Sequence, residues 1–222
     1  TNADPKKYSV HDFDLRASAL TASTIEWLKK QGAWSKVCEH RRSKFRDMTV
    51  WVEEGTGSIG FDALDVGGSA LGEIVENPVL VLALLETATA SGRLEIYEET
   101  ELTGLQWVDA TNGENPADDV TSGTIVVELD SGERITTALL VAADGAGSKV
   151  RTLADMDVRH WAYGHDAIVC NVEMERPHHS TAYQRFTTTG PAAFLPLASA
   201  NQDSRLCSIV WSQESARAAE LM

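Results

Sequence analysis

A chain of 222 residues, 43% hydrophobic and 23% charged, has the make-up of an ordinary globular protein with enough length for one good core or two small ones. Its 19 Lys/Arg against 33 Asp/Glu leave a formal charge of -14, which argues against nucleic acid as a partner because phosphate contacts need clustered cations. Residues 1–51 hold ten Lys/Arg against six Asp/Glu, so nearly all the acidity lies after Trp51, and the basic run His40–Arg46 reads as a solvated loop. Cys38, Cys170 and Cys207 are odd in number, far apart and without CxxC spacing, which points away from a disulfide framework or a zinc site and fits a reducing, cytoplasmic setting. The longest apolar run, Val79–Leu85, is too short to span a bilayer. The start at Thr1, without Met or a basic-then-apolar leader, reads as an internal piece of something longer.

In chain order, Ala22–Gln31 has helical character, with Ile25 and Leu28 on one face, Thr21 or Ser23 as cap and Gly32 as stop. Met48, Val50 and Val52 alternate with polar neighbours to give a strand, which turns through Gly55–Ser58 into another near Ile59–Ala63. Gly55–Gly60 satisfies the GxGxxG pattern. No helical stripe follows it, so its amides would not meet a pyrophosphate, and a hairpin turn is favoured. Asn77 as cap and Pro78 at the first position open the clearest helix, which Gly92 ends. Leu94–Tyr97 and Leu102–Val108 read as strands, and Asp109–Gly123 as a polar loop. Thr124–Leu129 and Arg134–Ala143 form a hairpin around Asp130-Ser131-Gly132. From His160 onward, strands at Asp166–Met174, Thr181–Phe186, Ala192–Leu197 and Leu206–Trp211 with short connections predict an antiparallel sheet, and Ser212–Leu221 starts a helix. His178-His179, read as adjacent strand residues, face opposite ways and make a poor chelate.

The most informative run is Leu139–Arg151. Five small apolar residues, Leu139–Ala143, predict a short strand covered on both faces, which turns through Asp144-Gly145 into a helix capped by Ser148. A helix start and Arg151 suit a pyrophosphate, whereas the Asp144 carboxylate repels phosphate and accepts hydrogen bonds from ribose or ribityl hydroxyls. The constellation points to a nucleotide cofactor.

This run resembles the Asp-Gly fingerprint of the FAD-dependent aromatic hydroxylases. Asp14–Leu20, Leu71–Asn77, Trp161–Gly164, Gly190–Leu197 and Cys207–Ser212 are similar to the ubiquinone-biosynthesis hydroxylases within that superfamily, most of all to the bacterial enzymes acting on 2-polyprenylphenols. The resemblance covers essentially the whole chain. It implies a mixed α/β (α+β) fold in which part of a Rossmann-like FAD-binding domain, residues 1–44 and 76–157, is interleaved with an antiparallel-sheet substrate domain, residues 45–75 and 158–222. By the same resemblance Arg16 reaches the FAD or NAD(P)H phosphates, Asn77 lies near the flavin chain with helix capping as its plainer role, and Asp144, Gly145, Ser148 and Arg151 belong to the cofactor cradle. Phe194, Leu195, Pro196 and Trp211 lie on strands that line the substrate cavity, with core packing as the alternative for each.

The activity implied is NAD(P)H-dependent, FAD-mediated transfer of one oxygen atom from dioxygen to a polyprenylated phenol. The cofactor carries the chemistry, so no catalytic side chain is named and no metal is expected. The substrate is the polyprenylphenol, and a cytoplasmic location leaves room for peripheral association with the inner membrane or a biosynthetic complex. The family's N-terminal GxGxxG unit and later Gly-Asp-Ala-Ala-His segment are not in the sequence. On that ground the chain is expected to be a central portion of the enzyme, inactive alone and without bound FAD. Two alternatives stand: a hydroxylase of a small soluble aromatic acid, for which Arg185 or Arg205 would hold the carboxylate, and a non-catalytic folded module.

Overall fold

The computed structural model describes residues 13–108, 123–197 and 205–222. In chain order its elements are β1 (Ala17–Thr21), α1 (Ala22–Lys30), β2 (Arg42–Phe45), β3 (Asp47–Val52), β4 (Ser58–Asp62), β5 (Gly72–Glu76), α2 (Asn77–Ala90), β6 (Leu102–Val108), β7 (Thr124–Leu129) and β8 (Arg134–Thr137), followed by α3 (Lys149–Leu153), β9 (His165–Glu173), β10 (Thr181–Thr187), β11 (Gly190–Pro196), β12 (Leu206–Glu214) and α4 (Ser215–Leu221). They fall into two compact units, one within residues 1–94 and 162–222, the other within 95–161. Residues 76–94 thus share a unit with the strands after His160.

The first unit holds a six-stranded sheet, β4-β3-β10-β11-β12-β9, and a three-stranded sheet, β1-β5-β2. Strand β5 joins the unit's two cores because its side chains alternate in direction. Ile74 packs with Phe13, Leu197 and Leu206, residues that include the ends of β11 and β12. Val75, one residue on, packs with Leu20, Ile25, Leu28, Trp34 and Ala83 beneath α1 and α2. Each such burial contributes about 2 kcal/mol. Gly72 permits the crossing, since a Cβ there would strike the Leu20 carbonyl oxygen and the Phe45 ring. Helix α1 begins as the sequence predicts, with Thr21 Oγ1 accepting from the Thr24 N–H at 3.3 Å.

The strands of the larger sheet fall within a few residues of their predicted bounds, and Gly55–Gly60 lies in the β3–β4 hairpin, where Trp51 pairs with Ser58. One pairing departs from expectation. Strand β3 joins β10 in parallel, Trp51 opposite Arg185, so the sheet is mixed rather than wholly antiparallel. The His pair lies not on a strand but in the turn before β10, where His179 and Ser180 take positive φ. His178 is buried there, its Nδ1 accepting from the Ser180 N–H at 3.0 Å, which leaves Nε2 protonated and directed at the Leu197 carbonyl.

The second unit is a meander, β6-β7-β8, with Ile125, Val127 and Leu129 of β7 packed against Leu102, Leu105, Ile135 and Leu140. Here two predicted strands are absent. Strand β8 stops at Thr137; Leu139–Ala143 pairs with no strand among the described residues, and Leu139 and Val141 are 74% and 73% exposed. Leu94–Tyr97 is likewise unpaired. The predicted polar loop at Asp109–Gly123 lies, apart from Gly123, outside the described residues.

Candidate functional site

The six-stranded sheet sets aromatic side chains in two rungs on one face. Trp51, Arg185, Ala192 and Trp211 follow one another across β3, β10, β11 and β12, and Tyr183, Phe194 and Ile209 form the next rung. Together they wall a cavity of about 670 Å³, with Trp51 meeting Tyr183 edge-on at 6.4 Å between ring centroids. The lining is apolar but for a few groups, the charged ones being Arg185 and Glu53. Arg185 Nη2 lies 3.4 Å from Glu53 Oε1, while Glu53 Oε2 accepts from the Thr188 N–H at 3.1 Å. Arg185 Nε is buried with no acceptor among the described residues.

Of the four residues expected on the substrate wall, Phe194 and Trp211 line this cavity. Leu195 does not: one residue along β11 it faces the opposite side and packs with Phe13, Ile74, Leu197 and Leu206. Pro196 is fully buried at the strand end, paired with Cys207, and is not on the cavity wall either. Burial pushes the Cys207 thiol up to about 12, so it stays protonated and is no nucleophile. Trp51, Tyr183, Glu53 and Ile209 were missed as lining residues. The alternation of β3 and β10 puts Trp51 and Arg185 on one face, yet no local signal announces that segments so distant in sequence pair.

Arg16 and Asn77 are brought together by β1 and β5. The Asn77 N–H donates to the Arg16 carbonyl at 2.9 Å, continuing the antiparallel register in which Ala17 opposes Glu76. Fully buried Glu76 anchors this edge: Oε1 accepts from the Asp14 N–H and from Arg41 Nη2, each at 2.6 Å, and Oε2 lies 2.5 Å from Arg41 Nε as an ion-pair contact rather than an aligned hydrogen bond. Asp14 Oδ1 then accepts the Arg16 N–H at 2.7 Å, which fixes the backbone from which the exposed Arg16 side chain projects. Among the described residues no acceptor pairs with that guanidinium. Asn77 does not cap α2. The cap position is Glu76, without a side-chain bond, and Asn77 Oδ1 instead accepts from Ser18 Oγ at 2.6 Å.

In the other unit, the Asp-Gly turn closes on itself. Asp144 Oδ2 accepts from the N–H groups of Lys149 and Val150 at 2.8 and 3.1 Å, and Ser148 Oγ accepts from the Arg151 N–H at 3.0 Å. The first amides of α3, which the sequence offered to a pyrophosphate, are therefore engaged by the chain's own oxygens, and Arg151 Nη2 donates to the Ala146 carbonyl at 2.9 Å. A hydrogen bond from the Ser148 side chain, then the backbone amides, hold the Asp144 carboxyl below the usual carboxylate range, so it remains an ionised acceptor. Gly145 takes φ +84°, and open space lies where a Cβ would be. In this unit an exposed acceptor beside open backbone fits a hydroxyl-bearing chain; in the first unit the exposed Arg16 guanidinium, with no acceptor among the described residues, fits phosphate. Taken unit by unit, Arg16 with Asn77 and Asp144 with Gly145 are each chemically compatible with a part of FAD, whereas Ser148 and Arg151 are engaged within their own turn.

The fold recurs in solved structures at low sequence identity. A PqsL variant of P. aeruginosa superposes with a TM-score of 0.74 at 20% identity over 98% of this chain and 55% of its own. The 2-methyl-3-hydroxypyridine-5-carboxylic acid oxygenase does so with 0.62 at 17%, over 90% and 48%. The chain belongs to the FAD binding domain family, whose pattern it matches over residues 6–221. It is 31% identical, over its whole length, to the mitochondrial ubiquinone biosynthesis monooxygenase COQ6 of Xenopus tropicalis, covering 46% of that protein. To the 3-demethoxyubiquinol 3-hydroxylase of Escherichia coli (strain K12) it is 32% identical over 94% of its length, covering 48%. The chain spans about half the length of the curated relatives it matches.

Proposed function

We propose that the polypeptide carrying this chain hydroxylates a polyprenylated phenol in ubiquinone biosynthesis, with FAD as cofactor and NAD(P)H as reductant. The observation that carries the reading is the cavity on the six-stranded sheet: large, walled by aromatic rings and with a single ion pair in its lining. Such a wall can receive a flat ring and an apolar tail. FAD, when bound, would relay the electrons of NAD(P)H and activate dioxygen. This chain's own part is to hold and orient. Arg16 neutralises phosphate, Asn77 offers its side-chain amide nitrogen, Asp144 accepts from hydroxyls, and Phe194 and Trp211 position the ring. No side chain is assigned as a general acid or base. A cytoplasmic setting with peripheral association at the inner membrane or in a biosynthetic complex belongs to the same proposal; among the described residues no helix is long and apolar enough to cross a membrane.

The test supplies the polypeptide with FAD, NADH or NADPH, isotopically labelled dioxygen and a 2-polyprenylphenol. The expected product is the prenylated phenol carrying one additional hydroxyl whose oxygen is labelled. Hydroxylation of small aromatic acids with no turnover of the prenylated phenol would overturn the reading.

A further inference from the structure

We infer that the Glu53–Arg185 pair is the specificity device of the cavity, admitting a neutral ring oxygen and rejecting a carboxylate. The inference rests on the reading of this cavity as the substrate site. Arg185 stands mid-rung between Trp51 and Ala192, where a flat ring would lie. Its guanidinium carries several N–H donors; one on Nη2 makes a long bond to Glu53 at 3.4 Å, Nε is buried out of reach, and the half-exposed side chain leaves further Nη donors on the cavity wall. Donor capacity directed at an apolar cavity wants an oxygen.

The sign of the charge decides which oxygen. Glu53 is itself held in place by the Thr188 N–H, so its carboxylate stays against Arg185 and the pair is neutral overall. An incoming carboxylate would meet no net positive charge, would be repelled by Glu53 and would lose its hydration among aromatic rings. A phenol hydroxyl brings no charge: its oxygen accepts from Arg185, and its proton has Glu53 as an acceptor. Arg205, the other cation suited to an acid, is paired with Glu173 at 2.6 Å and does not line the cavity.

The test is calorimetric titration of the chain with two probes that share one ring and tail, 2-prenylphenol and 3-prenyl-4-hydroxybenzoate. The native chain is expected to bind the phenol about tenfold more tightly than the acid, the worth of one charge-assisted hydrogen bond. Glu53→Gln unmasks Arg185 and is expected to raise affinity for the acid about tenfold with little change for the phenol, and adding Arg185→Gln removes that gain. Equal affinities for the two probes, unmoved by Glu53→Gln, overturn the inference while leaving the cavity as the binding site. Absence of binding by either probe overturns the cavity reading and this inference with it.

Discussion

The sheet strand Gly190–Pro196 and the run Leu139–Ala143 are both short and apolar, yet one is a strand and the other is not. Strand β11 has β10 on one side and β12 on the other, and pairing sorts Phe194 to the cavity and Leu195 to the core. Leu139–Ala143 has no paired neighbour among the described residues, and only Leu140 joins a core cluster. A strand is a property of a pair. Apolar composition marks a segment that would be buried if paired, but the neighbour decides whether it is.

The comparison breaks most easily at Glu76, the more deeply buried of the two carboxylates on β5. Glu76→Ala removes the carboxylate that pairs with Arg41, itself mostly buried and stacked 4.7 Å over the Phe13 ring, and strips the Asp14 N–H of its acceptor. Breaking a buried pair costs about 3–5 kcal/mol. Urea denaturation followed by tryptophan fluorescence should show that loss; a change below about 1 kcal/mol would mean the β1–β5 edge is held by its ladder alone.

A smaller pair of effects separates the two faces of β11. Leu195→Ala removes atoms from the cluster with Phe13, Ile74, Leu197 and Leu206 and should cost about 2–3 kcal/mol while leaving phenol binding intact. Phe194→Ala opens the cavity wall instead and should weaken 2-prenylphenol binding about tenfold at less cost in stability. Equal losses of stability with no change in binding would refute the assignment of faces.

These residues also show how far the sequence could be read. Helix α1 was legible to its cap because Thr21, Ile25, Leu28 and Gly32 all act within a few residues of one another. The β3–β4 hairpin was legible for the same reason, since a GxGxxG match without a following helix stripe is only a turn. The parallel union of β3 with β10 was not, because nothing near Trp51 names Arg185 as its neighbour. Asn77 misled in another way: its position says helix cap, but Ser18, reached only through the fold, takes its Oδ1. Of the cavity lining, Phe194 and Trp211 are residues the resemblance names, and alternation alone excludes Leu195 from the same wall.

The smallest expected effect is at the Asp-Gly turn, and it tests whether this turn is built without a neighbouring strand. Asp144 and Ser148 between them engage the amides of Lys149, Val150 and Arg151, so the turn has its own internal support. Ser148→Ala should cost about 1 kcal/mol as the loss of a cap. The folded-state pKa of Asp144 is depressed, so its contribution is fully present above the unfolded carboxylate value of about 3.9 and is lost as pH falls through the lower, folded value. Carboxyl chemical shifts followed by NMR from neutral pH downward should give Asp144 a midpoint below that of an ordinary aspartate, and Ser148→Ala should move the midpoint back up. An unshifted midpoint in the native chain would mean that the carboxylate does not close on α3 in solution, leaving those amides open to the phosphate that the sequence alone had offered them.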